Sequence, residues 1–124
     1  MVGVTNHAAL DPNGIFVSLL GAPVYGETVT IASGQNLAAG AVLGQTSGGK
    51  YVLALADSED GSQTPDAILA EACDASGGDK QAFVYYQVEC NQRKLVLGTG
   101  ITLNAALRKA LSRKGIFLHA SLPA

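Results

Sequence analysis

The chain has 124 residues and a mass of 12.6 kDa; 48% of its side chains are hydrophobic and only 15% are charged. That length suits one domain with a modest core, and no apolar stretch is long enough to span a bilayer. The net charge of −2 and a pI near 5.5 speak against a nucleic-acid partner, since the six clustered cations have no aromatic residues between them.

Residues 1–26 read as an N-terminal arm. Pro12-Asn13-Gly14, Gly21-Ala22-Pro23 and Gly26 punctuate it, and Ile15-Phe16-Val17-Ser18-Leu19-Leu20 between them is too apolar for a solvated tail. The arm lacks a basic region followed by a long apolar run, so no signal peptide is expected. Residues 27–124 form the body. Thr28 and Thr30 alternate with Val29 and Ile31, the pattern of a half-buried strand. Strands are expected near 28–32, 41–45, 51–55, 67–73, 81–90 and 94–97, with Ser76-Gly77-Gly78-Asp79 as the turn between the fourth and fifth. Tyr85 and Tyr86 then point to opposite faces of one strand.

One helix is expected over 105–114, capped by Thr102 or Asn104 and ended by Gly115. Leu103, Ala106, Leu107, Ala110 and Leu111 make its buried stripe, and Arg113 and Lys114 suit the negative end of its dipole. Ile116-Phe117-Leu118 reads as a final strand.

The small net charge hides an asymmetry. Residues 1–89 hold all ten acids and only Lys50 and Lys80, whereas residues 90–124 hold six cations and no acid. Internal pairing accounts for this most simply; a subunit with one acidic and one basic side, suited to head-to-tail rings, is the sharper reading. The three acids of the polar loop 56–66 lack the spacing of a calcium loop. Cys73 and Cys90 match no metal or redox pattern and fit buried thiols of a reduced protein. His7 and His119 stand apart from other ligand types.

Gly44-Gln45-Thr46-Ser47-Gly48-Gly49-Lys50 matches the opening of a phosphate-binding loop, G-x-x-x-x-G-K. Such a loop needs Ser or Thr after the lysine and then a helix. Tyr51 follows instead and begins a strand-like run, so a hairpin is the better reading. No nucleophile elbow is present, and Asp66 with Glu71 is an acid pair only by proximity in sequence.

The stretch TIASGQNLAAGAVLG, with Ser33, Gly34, Leu37, Gly40, Leu43 and Gly44 in S-G-x-x-L-x-x-G-x-x-L-G spacing, leads into a Gly-Lys-Tyr hairpin, the Asp60-Gly61 loop and Ala67-Ile68-Leu69. This order resembles the head decoration proteins of tailed bacteriophages, the family of the lambda head decoration protein D, over about residues 28–118. The resemblance implies a mainly β body with one C-terminal helix, small and barrel-like in the β-tulip or β-clip manner, with an extended arm. It implies a homotrimer on the outside of the expanded capsid at threefold and quasi-threefold positions, made in the host cytoplasm, with the major capsid protein as partner. No catalysis, cofactor, metal, nucleic acid, membrane or small-molecule substrate is implied. Val4, Leu10, Ile15, Phe16, Val17, Leu19 and Leu20 are the expected capsid-binding residues. The alternative, from another class, is a small β-domain enzyme or ligand-binding module with a phosphate loop at Gly44–Lys50.

Overall fold

The structure is a computed structural model that describes residues 24–119. Its strands are β1 (Tyr25–Ile31), β2 (Asn36–Leu37), β3 (Val42–Gln45), β4 (Tyr51–Leu53), β5 (Ala67–Leu69), β6 (Cys73–Asp74), β7 (Lys80–Asn91) and β8 (Ile116–His119). One helix, α1 (Ala105–Lys114), precedes β8.

Five strands close a barrel in the order β1–β4–β3–β5–β7, with β1 returning to pair along β7. All neighbours are antiparallel except β1 and β4, which meet only at Ile31 and Tyr51. The short ribbon of β2 and β6 stands apart, and β8 lies parallel to the far end of β7.

Strand alternation divides the buried side chains into two clusters. Val29, Ile31, Leu43, Tyr51, Ala67, Leu69, Ala82 and Val84 fill the barrel, joined by Leu37 and Cys73 from the ribbon. Val42, Ile68 and Tyr85 point outward from β3, β5 and β7, and Leu107, Leu111 and Ile116 cover them. The expectation for the two tyrosines holds: Tyr85 belongs to the outer cluster, while Tyr86 packs against the inner one.

β7 serves both clusters because it is long and carries a bulge. Tyr25 pairs with Gln87 and Gly26 with Tyr85, leaving Tyr86 as an extra residue. One inserted residue reverses the alternation, so Val88 and Cys90 join Tyr85 on the outer side. Gly26 is required beside the bulge, since a β-carbon there would stand 2.1 Å from the Val84 carbonyl oxygen.

The helix forms as its ends dictate. Asn104 is the N-cap, its side chain accepting from the Leu107 N–H at 2.9 Å, and Gly115 ends the helix at φ 97°. Its buried stripe is narrower than expected: Leu107 and Leu111 are buried, whereas Ala106 and Ala110 are exposed. A helix lying on one outer face of a barrel meets apolar surface over only part of its circumference.

Two expected strands differ. The segment 67–73 divides into β5 and β6, because Cys73 and Asp74 leave the barrel to pair with Leu37 and Asn36. The turn before β7 forms, with the Gly78 N–H donating to the Ala75 carbonyl at 3.1 Å, but the barrel neighbour of β7 is β5 and not β6. The segment 94–97 is no strand. A 3₁₀ turn occupies Gln92–Lys94, and Val96 alone bridges to Ala41. Gly98 then passes against Ala54, where a β-carbon would come 2.0 Å from the Ala54 oxygen.

Candidate interaction surfaces

The phosphate-loop reading requires a strand, a loop and a helix N-terminus. Gly44–Lys50 instead joins β3 to β4 as an antiparallel hairpin, with Gln45 opposite Tyr51. The Thr46 N–H donates to the Lys50 carbonyl at 2.8 Å and the Gly49 N–H to the Thr46 carbonyl at 2.9 Å. Two of the amides that would cradle a phosphate are thereby consumed, and the Lys50 ammonium pairs with Asp79 at 2.6 Å.

The other chemical candidates are likewise occupied by structural roles. Asp66 pairs with Lys114 at 2.7 Å, while Glu71 accepts from the Phe83 N–H at 3.3 Å. The two carboxylates therefore serve separate partners. Cys73 and Cys90 are buried thiols not joined in a disulfide, and burial, the largest influence, pushes the Cys73 thiol up. His119 Nε2 lies 3.1 Å from the fully buried Glu89 carboxylate. Among the described residues no group of three or more His, Cys, Asp or Glu is placed to hold a metal.

What the fold exposes is surface. Near the start of β1, Tyr25 is 49% exposed and its ring centroid lies 5.9 Å from that of Tyr86. The Tyr86 hydroxyl donates to Glu27 at 3.0 Å and shares a 3.1 Å bond with the Tyr51 hydroxyl. Burial, followed by these bonds, holds the Tyr86 phenol far above the usual range. Phe83, 37% exposed, stands edge-on to Tyr85 at 5.9 Å and covers Gly26. These aromatics flank the start of β1. Their sequence signal was the alternation of β7: with Ala82 and Val84 inward, Phe83 must face out.

The charged faces are separate. The loop 56–66 exposes Asp57, Glu59 and Asp60. Asp60 is held below the usual carboxylate range, first by the Ser62 hydroxyl at 2.5 Å and then by the Ser62 N–H. Opposite in sign, α1 carries Arg108, Lys109 and Arg113. Arg108 bonds Gln92 and the Leu118 carbonyl, which draws the cationic turn containing Arg93 toward the helix. A groove lies between α1 and β8, lined by Arg108, Lys109, Ser112, Phe117 and Leu118. Sequence reading missed this groove, since it needs the helix and the last strand side by side.

The seven residues expected to bind a capsid, Val4, Leu10, Ile15, Phe16, Val17, Leu19 and Leu20, all lie outside the described residues, as does His7. Comparison with known proteins extends to part of that region. A family model described as bacteriophage lambda head decoration protein D matches residues 14–116, well over half of the chain. The match begins upstream of the likeness read near residue 28, and takes in Ile15 to Leu20. No curated protein matches the chain.

Proposed function

We propose, from the premise that this chain belongs to the bacteriophage lambda head decoration protein D family, that it is a trimeric cement protein of the phage head. Three copies assemble on the outside of the expanded capsid at threefold and quasi-threefold positions. There they clamp neighbouring major capsid subunits against the pressure of packaged DNA. The role is structural, without catalysis or cofactor. The family match is the observation that carries this reading.

The physical arrangement supports it. The residues before β1 act as the docking arm and the barrel from Tyr25 onward as the trimerising body, with Val4, Leu10, Ile15, Phe16, Val17, Leu19 and Leu20 as apolar anchors. Five of these seven fall within the matched stretch. Ordering an arm costs about 1–2 kcal/mol per residue in backbone entropy. Apolar burial at about 25 cal/mol per Å² must offset that cost, so docking favours a groove already formed on the shell. Three arms on one trimer turn a weak attachment into a tight one through effective concentration. A closed barrel suits the body of such a clamp, because it leaves few unpaired strand edges to capture wrong partners.

The test is shell binding by the full chain carrying Ile15→Asp and Phe16→Asp. The expected result is an unchanged oligomer mass with binding to expanded capsids reduced at least about tenfold, as burying two carboxylates in an apolar groove requires. Saturation of shells at the wild-type concentration would remove the arm from the mechanism.

A further inference from the structure

We propose that the cationic groove beside α1 receives the acidic loop of a neighbouring copy, so that three identical head-to-tail contacts close the trimer. The inference rests on the trimeric reading above and assigns its contact surfaces.

The groove combines an apolar floor with a charged rim. Phe117 and Leu118 are half-buried beneath it, and Arg108 is fixed as one wall by its bonds to Gln92 and the Leu118 carbonyl. Lys109, on the groove, and Arg113, one turn further along α1, are exposed and make no ion pair among the described residues. They stand four residues apart on one helix, where like charges repel. An anion placed between them relieves that repulsion.

The same chain supplies the anion. Asp57, Glu59 and Asp60 are exposed and likewise make no ion pair among the described residues. The carboxylate of Asp60 is turned back onto Ser62, which leaves Asp57 and Glu59 as the outward pair.

Placement decides between self-neutralisation and a contact with another copy. The Lys114–Asp66 bridge ties the end of the acidic loop to one flank of α1. Ser112, on the groove, lies about 200° around the helix from Lys114 at 3.6 residues per turn. The end of the loop at Asp66 and the groove therefore lie on opposite flanks of one helix. Two different complementary patches on opposite flanks of one subunit are what a heterologous ring needs, whereas a two-fold dimer would need both patches on a single face.

Sedimentation of the full chain at low salt tests this with three variants: Lys109→Glu with Arg113→Glu; Asp57→Lys with Glu59→Lys; and all four together. Thermal melting checks that each is folded. Either pair alone is expected to weaken trimer association at least about tenfold, and the fourfold variant to regain the wild-type mass, since its charges are complementary again. A wild-type trimer whose mass neither pair alters would overturn the assigned contact and leave the decoration reading intact. The contact is equally overturned if the fourfold variant is folded yet stays dissociated, or if the groove variant keeps its trimer but loses shell binding. A wild-type chain that is monomeric at every concentration would overturn the trimer itself, and the contact with it.

Discussion

The carbonyl oxygen of Ser62 lies against the α-carbon of Gly44, 1.9 Å from where a β-carbon would stand. The glycine that opens the phosphate-loop pattern is thus required by a neighbouring backbone, not by a ligand. Gly44→Ala must push the 60–62 turn away from β3, at a cost of about 2–4 kcal/mol. Gly77 is the control: no atom lies within 4 Å of a β-carbon there, and Gly77→Ala should change stability by less than about 1 kcal/mol. Urea midpoints of the two variants measure the contrast, and equal values would contradict the close approach.

The helix ends make a second pair of tests. Asn104→Ala removes the acceptor for the Leu107 N–H and should cost about 1 kcal/mol. Gly115→Ala forces a β-carbon onto a left-handed residue and against the Gln87 side chain at 2.9 Å. Its cost should be about 1–2 kcal/mol. Helical circular dichroism through thermal melts reports both, and a Gly115→Ala chain as stable as wild type would refute the terminator.

Acid should weaken the protein through the exposed turn carboxylates. Asp60 and Asp74 are lowered from 3.8 chiefly by Ser62 and Ser76, and Asp79 chiefly by Lys50. A lowered folded-state value means that the unfolded chain binds protons first. Their contribution is therefore whole above pH 3.8 and is lost as pH falls through the lower folded values. Ser76→Ala should return Asp74 toward its ordinary value and flatten the acid limb of stability against pH. An unaltered limb would show that this turn does not contribute.

The alkaline side depends on Tyr86. Its raised phenol keeps its proton in the folded state after the unfolded chain begins to ionise near 10.0. Stability from this group is whole below that pH and declines as pH rises above it. Tyrosinate absorbance should show one phenol ionising late. Tyr86→Phe should abolish that phase, and should cost about 1 kcal/mol at neutral pH by leaving Glu27 without its donor.

Much of the local structure was legible. The polar cap at Asn104 and the glycine at 115 bound the helix because each acts on backbone groups within one turn. The Thr28–Ile31 alternation marked a strand with one buried face. Segments whose sequence is apolar at every position were less informative. Ala67-Ile68-Leu69 is a strand either way, but alternation cannot tell which side faces a barrel interior. The segment 94–97 looked like a strand by composition, yet only Val96 meets a partner. The charge division between residues 1–89 and 90–124 was plain in the sequence; that Asp66 would reach Lys114 on α1 while a cationic groove forms beside the same helix was not.

Sequence alone determined where the backbone turns, where the helix starts and stops, and that the chain belongs among decoration proteins. Those signals work over a few residues or through their order along the chain. Tertiary structure decided that β3 and β5 are covered on both faces, that a bulge at Tyr86 sends one strand from the inner cluster to the outer, and that Gly44 must be bare. Each of these depends on segments that meet only after the barrel closes and α1 settles on its outside, where burial is set by neighbours remote in sequence.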